Sequence, residues 1–344
     1  MSDEAPRVAV VLFNLGGPDK PADVRPFLRN LFADRAIIDL PAIARAPLAE
    51  IIARARAGKA VANYAVMGGG SPLLAGTQAQ AEALEAALRA DGLAAKVFIA
   101  MRYWTPTTED AAGQVAAFAP THIVLTPLYP QFSATTTGSS SAAWRRAYKG
   151  PGEVHALCCW YDNAGLVEAH AQAVLETWAA AGRPRVRLLF SAHGLPVRTA
   201  ERGDPYPWQV EATCRAIAAR LGEGWDWRLC YQSRVGPLKW LGPSTPEAIA
   251  AAGAEGLGVL IDPVSFVSEH IETLVELDRD YAAFARRAGV ECYLRAPAVG
   301  VRAPFIEGLA RAVAGALAKR GAGPESAACP AGFTRCGRDR ELAA

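Results

Sequence analysis

Short apolar runs punctuated by glycine and proline alternate with longer segments of helical period along most of the chain, and this alternation leaves few folds open. Parallel strands need long crossovers, so a parallel sheet covered on both faces reads as continuous apolar runs separated by helices. Runs of that kind stand near 7–14, 95–101, 122–128 and 153–159, and again near 185–192, 226–233, 257–264 and 290–295. Helical periodicity fits 75–91, 163–181, 206–221, 270–287 and 303–319. The pattern predicts an α/β protein of two Rossmann-like domains, each a four-stranded parallel sheet flanked by helices, with a cleft between them. "AAGRPR" at 180–185 carries the Gly and Pro that punctuate a boundary. The expected division is 1–182 for the N-terminal domain, 183–300 for the C-terminal one, 301–322 for a C-terminal helix and 323–344 for a cysteine-containing tail.

Composition narrows the function classes. A formal net charge of +2 with 20% charged residues and no long basic run argues against a protein that works by neutralising nucleic-acid phosphates. No run approaches the roughly 20 apolar residues of a spanning helix. The start "MSDEAPR" is acidic and leads straight into a strand, unlike a secretory signal, so a cytoplasmic location is expected. Seven cysteines, an odd number, fit a reducing compartment better than a disulfide framework.

The glycine loops "NLGGP" (14–18) and "MGGGSP" (67–72) match neither nucleotide-binding pattern and read as tight turns. "TTTGSSS" (135–141) lacks the G-x-S-x-G elbow and reads as a polar loop before a helix. Two other stretches carry more chemistry. "FSAHGLP" (190–196) puts His193 at the end of an apolar strand, the edge where doubly wound sheets bind ligands. "SEHIETLVELDRDY" (268–281) follows another strand and spaces Glu272, Glu276 and Asp280 four apart, beside Glu269 and His270. In an α-helix such a stripe drifts about 40° per step. A local π-turn between 270 and 282 brings the acids closer to eclipse, and is expected here. His122, His155 and His170 read as structural. The residues alone point to metal or proton chemistry built on His193 and Glu272.

"NLGGP", "GGGSP", "YPQFSATTTGS", "FSAHGLP", "RGDPYPWQVEATC", "YQSRVGPLKWLGPST" and "PVSFVSEHIETLVELD" follow one another in an order that resembles the ferrochelatase family, from about Val8 to residue 320. The resemblance implies a chelatase-type lyase that inserts Fe(II) into protoporphyrin IX, the terminal step of haem biosynthesis, with release of two protons. It implies His193 and Glu272 as the catalytic and Fe(II)-contacting pair, facing each other across the macrocycle. Glu269, His270, Glu276 and Asp280 then become a proton or metal relay, and Leu15, Tyr129, Ser233, Trp240 and Phe266 the porphyrin-binding residues. No cofactor is required for the chemistry. Some family members carry a 2Fe–2S cluster on C-terminal cysteines, for which Cys329 and Cys336, with Cys158 and Cys159, are the candidates here, although Gly337 and Arg338 stand where a further cysteine is usual. The stretch 35–52 resembles the pocket lip, and its Ile37, Ile38, Leu40 and Ile43 suit peripheral contact with the inner face of a membrane. Animal members have paired arginines where Ala65 and Val66 stand. Another tetrapyrrole chelatase, of coproporphyrin or sirohydrochlorin type, and a non-catalytic porphyrin or haem carrier are the competing readings. The expected assembly is a monomer or homodimer.

Overall fold

The computed structural model describes residues 6–234, 236–318 and 329–337. Of these, 6–159, 310–318 and Gly337 form one compact unit, and 160–309 with 329–336 form a second.

In the first unit the order is β1 (Val8–Asn14), α1 (Val24–Phe32), α2 (Ala42–Ala65), α3 (Leu73–Ala90), β2 (Ala95–Met101), α4 (Thr108–Phe118), β3 (His122–Pro127), α5 (Thr137–Ala147) and β4 (Glu153–Ala156). The four strands pair in parallel in the order β2-β1-β3-β4. β1, "VAVVLFN", is buried at every residue, as a central strand covered on both faces must be. The stretch expected as a polar loop at 135–141 instead starts α5, with Ser139, Ser140 and Ser141 buried. Ser139 accepts a hydrogen bond from Arg102 Nε at 2.8 Å and donates to Asp34, which also pairs with Arg102 Nη2 and accepts from the Tyr103 hydroxyl, both at 2.8 Å. The Ser139 hydroxyl thus faces a charge pair and not solvent.

The second unit runs α6 (Ala164–Ala180), β5 (Val186–His193), α7 (Val197–Glu201), α8 (Tyr206–Leu221), β6 (Trp227–Gln232), α9 (Thr245–Ala254), β7 (Gly258–Asp262), a π-helix (Glu272–Tyr281), α10 (Ala282–Arg287), β8 (Tyr293–Arg295) and α11 (Ala303–Ala318), whose residues after Leu309 belong to the first unit. Its parallel order, β6-β5-β7-β8, repeats that of the first sheet. Alternation along β5 sends Leu188, Phe190 and Ala192 to one face, against Val174 of α6 and Val210 and Ile217 of α8. Leu189 packs on the other face with Ile249, Ile261 and Leu277, the last from the π-helix. The division falls at 159/160 and not at 182. The reason is α6: Val167 and Val174 share the β5 core, and His170, fully buried, pairs with the equally buried Asp262 at the end of β7 (2.9 Å). The expected π-turn is present and longer than one turn.

Both sheets reverse direction beside their first strand, which places the switch point of the second sheet at the carboxyl ends of β5 and β7. His193 ends β5, and the π-helix follows β7.

Candidate active site

His193 is fixed from its backbone outward. Its N–H donates to Ser265 Oγ (3.0 Å), its carbonyl accepts from the Tyr206 hydroxyl (3.0 Å), and the next N–H, of Gly194, donates to Gln232 O (2.9 Å). Gly194 is glycine for space: a Cβ there would lie 2.8 Å from Gln232 O and 3.2 Å from the Trp240 ring. Pro196 forms an antiparallel bridge with Trp240, so the turn carries the indole across the strand end.

The side chain is tied as tightly. His193 Nδ1 lies 2.6 Å from Gly194 O, and a carbonyl only accepts, so Nδ1 carries a proton and Nε2 is turned outward. His270 repeats the arrangement, with Nδ1 3.1 Å from Ser268 O. Thr273 holds its main chain by accepting from His270 N and donating to His270 O, each at 3.0 Å. Both imidazoles present Nε2 to one carboxylate: His193 Nε2 is 3.4 Å from Glu272 Oε1, so the two meet directly and not across a macrocycle, and His270 Nε2 is 3.3 Å from Glu272 Oε2. Phe266 packs beside both rings, 6.4 Å from that of His193 and 4.7 Å from that of His270.

Burial opposes charge on both partners of this pair, and pairing prevails. Desolvation alone would lower the His193 pKa, but the Glu272 charge, its hydrogen bond and the Gly194 carbonyl raise it to about 9 from an ordinary 6.5. Desolvation alone would raise Glu272, but His193 and His270 hold its carboxyl well below the usual carboxylate range. The side chains keep 37% and 27% of their surface exposed, so the pair is open to an incoming group.

Glu276 lies one step along the π-helix and is held by four donors: Ser233 N at 2.9 Å, Ser233 Oγ at 2.5 Å, Gln232 Nε2 at 3.3 Å and the Tyr281 hydroxyl at 2.6 Å. The tie keeps Ser233 at φ +64°, a left-handed conformation costly for a residue with a Cβ. Gln232 itself is fully buried, accepts from Ser191 Oγ (2.8 Å) and donates to Glu272 O (2.9 Å), so it locks β5, β6 and the π-helix together. Asp280 pairs with the adjacent Arg279 (2.7 Å) at the surface. Glu269 does not face the cluster; it accepts from Arg295 Nη1 (2.6 Å) and Ala298 N (2.9 Å), anchoring the segment that follows β8. Tyr206, Gln232, Ser265 and Thr273 escaped the sequence reading, because each acts through a backbone contact that spacing along one segment does not display.

The other nominated residues lie as follows. Leu15 directly follows β1 and is half-buried; Tyr129 follows β3 and packs on the first unit's core, where burial pushes its hydroxyl pKa up. The buried Trp240 Nε1 has no acceptor among the described residues. Cys158 and Cys159 are buried beyond β4. Cys329 accepts from Gln209 Nε2 at 3.1 Å, and Cys336 is buried. None of the seven cysteines is in a disulfide.

A family model described as Ferrochelatase matches residues 7–317. The chain belongs to the ferrochelatase family. It is 60% identical to a ferrochelatase of Phenylobacterium zucineum over 334 residues, 96% of this chain and 97% of that protein. It is 57% identical to one of Caulobacter vibrioides over 336 residues, 97% of this chain and 96% of that protein. Among solved structures it resembles SirB from Bacillus subtilis with Fe3+, at a TM-score of 0.52 and 12% identity, covering 89% of this chain and 93% of that one, a likeness of fold alone. A ferrochelatase is a lyase of haem biosynthesis, and its substrates are Fe(II) and a porphyrin.

The pairing carries a pH signature. His193 binds its proton more tightly folded than unfolded, so its contribution to stability is complete below about 6.5 and is lost as pH rises through about 9. Glu272, depressed, contributes above its ordinary 4.5, and that contribution is lost as pH falls through the lowered value. The difference in denaturant midpoint between the natural protein and Glu272→Gln is therefore expected to shrink between pH 6.5 and pH 10. A difference constant over that range would contradict the pairing.

Proposed function

We propose that His193 and Glu272 take the two pyrrole protons of protoporphyrin IX as Fe(II) enters, completing the last step of haem formation. The observation that carries this reading is one carboxylate faced by the Nε2 atoms of two imidazoles whose Nδ1 protons are already committed to carbonyls. Each of the three groups has its next proton site turned toward the same space.

The atoms balance without redox change. Two pyrrole N–H bonds break, the nitrogen electron pairs pass into bonds to Fe(II), and two protons leave. At neutral pH the His193 and Glu272 pair already holds one proton, because His193 titrates near 9. An approaching divalent cation opposes the imidazolium charge and lowers its affinity for that proton, as metal binding does wherever ligand atoms must be deprotonated. Iron arrival and vacating of the base are thus one event: the proton that His193 gives up leaves by way of Glu276 toward solvent, and His193 then takes the first pyrrole proton. Glu272 takes the second proton, and His270, whose Nε2 faces the same carboxylate at 3.3 Å, steadies it there. Glu276 adds negative charge beside His193, and with Asp280 toward solvent it extends the acid stripe along the π-helix as the relay. Glu269, committed to Arg295, serves by holding the segment in place. Phe266 and Trp240 are proposed as apolar walls for the ring, with Ser233 as a polar neighbour. Leu15 and Tyr129 keep the porphyrin-binding role that family resemblance suggests.

The cysteine tail suits a 2Fe–2S cluster in donor chemistry. Phe333 packs on Trp208 (ring centroids 6.0 Å) and Arg335 N–H donates to Gly203 O (3.0 Å), so Cys329 and Cys336 sit on an anchored segment. Cys329 and Cys336 would supply two of the thiolates that hold such a cluster. It would supply an iron- or redox-sensitive centre and no step of insertion.

A cytoplasmic, membrane-peripheral location is also proposed. No helix among the described residues is long and apolar enough to cross a membrane. Of the four lip residues, Leu40 (39%) and Ile43 (88%) are exposed while Ile37 and Ile38 are half-buried, and Ile51 (64%) extends the apolar surface along α2. Arg56 and Lys59, exposed on α2, suit anionic headgroups.

Insertion of Fe(II) into protoporphyrin IX, followed anaerobically, is expected to fall about 10²–10⁴-fold in His193→Ala with the fold retained. Near-natural turnover would overturn the assignment. Glu276→Gln should lower kcat with KM unchanged, whereas a surface role would leave both alone. Anaerobically purified protein should show visible absorption and acid-labile sulfide that vanish in Cys329→Ser; colourless protein without sulfide would remove the cluster. Flotation with anionic vesicles should weaken in Leu40→Ser with Ile43→Ser while activity in detergent persists; absence of flotation in the natural protein would remove the membrane reading.

A further inference from the structure

β4 is a four-residue edge strand of the first sheet, paired to β3 in the register His122↔Glu153, Val124↔His155. Alternation puts Glu153 and His155 on one face of β4, and parallel register puts His122 on that same face of β3. One donor atom from each of His122, Glu153 and His155 therefore converges, all within 4.8 Å of one another. The two imidazole rings lie nearly parallel, 5.7 Å apart at 16°.

The polar contacts leave this group incomplete. His155 is 7% exposed, and its buried Nε2 has no hydrogen-bond partner among the described residues; Glu153 Oε1 stops at 3.9 Å, beyond hydrogen-bond range. A purely structural ion pair would close that gap, since Glu153 is exposed and free to swing. On the other ring, Thr121 Oγ1 lies 3.2 Å from Arg7 O, to which its proton goes, and 2.9 Å from His122 Nδ1. His122 Nδ1 is then the donor to that hydroxyl, and its Nε2 bears the lone pair. An outer hydrogen bond that sets the imidazole tautomer is the usual support of a metal-binding histidine.

We propose that His122, Glu153 and His155 form a site for a first-row divalent transition metal ion, separate in the chain from His193 and Glu272. Two imidazoles and one carboxylate suit Zn2+, Fe2+, Co2+ or Ni2+, with the remaining positions left to water, whereas Mg2+ and Ca2+ favour all-oxygen shells, of which this group supplies only the Glu153 carboxylate. A bound ion bridges β3 to the short edge strand. The protein's own substrate ion belongs to the same class, which gives the chain a second place for it.

The test titrates metal-free protein with Zn2+ by calorimetry, in the natural chain, in His122→Ala with Glu153→Gln, and in His193→Ala. The natural protein and His193→Ala should share one class of Zn2+ sites that the double variant binds about a hundredfold more weakly, beyond the loss an outer-shell change brings. Zn2+ should raise the natural Tm through this site and raise that of the double variant less, with metal-free Tm and porphyrin metalation unchanged between them. Imidazole resonances of His122 and His155 should move on Zn2+ addition to the natural protein, a readout that needs no variant. Equal stoichiometry, affinity and thermal shift in the natural and double-variant proteins, or imidazole signals that do not respond, would overturn the site.

Discussion

One carboxylate shared by two imidazoles sets the terms for the second unit. Glu272 keeps its charge against burial only because His193 and His270 aim protonatable nitrogens at it, and His193 keeps its proton only because Glu272 is there. Neither effect survives alone: an isolated carboxylate so placed would take up a proton, and an isolated imidazole would lose one. The fold supplies what pairing needs, which is two imidazoles, one ending β5 and one in the segment after β7, delivered with Nδ1 already engaged and Nε2 free to face the carboxylate. Ser265, Tyr206 and Gln232 fix the strand end; Thr273 fixes the start of the helix.

The π-helix is the second consequence. Acids four apart on an α-helix rotate away from one another by about 40° per step, which would carry Glu276 off the face of Glu272. Widening the turn keeps them closer to line, and it brings residues five apart together: the Tyr281 hydroxyl donates to Glu276 at 2.6 Å. Such helices are rare because their packing is poorer, and this one is retained by Leu277 in the core beneath and by the Gln232 and Ser233 donors above. Glu276 thereby both anchors the strained Ser233 turn and adds its charge to the environment of His193.

Much of this is legible in the sequence. Central strands covered on both faces have no polar register to hide them, so β1 and β5 were placed within a residue, and His193 was placed by the strand that it ends. The acid spacing called for a π-turn. What failed was whatever depends on contacts between distant segments. The domain boundary was set at a Gly and Pro turn, but α6 follows its buried partners, Asp262 and the β5 core, into the second unit. Glu269 reads from the sequence as part of the relay, but Arg295, at the end of β8, holds its carboxylate. The half-buried Ile37 and Ile38 looked as free as Ile43, because apolar character does not say which side a turn faces. His122 and His155 read as two unrelated histidines, 33 residues apart, until strand register placed them side by side.

The central claim is that His193 and Glu272 act as one unit, and a double-mutant cycle on the insertion rate measures that directly. His193→Ala, Glu272→Gln and the double variant would be compared under anaerobic single-turnover conditions with Fe(II) and protoporphyrin IX. If the pair acts as a unit, the double variant should be little slower than the worse single one, since either change alone dismantles the shared proton site. Rate losses that multiply, with the two changes acting independently, would contradict the account.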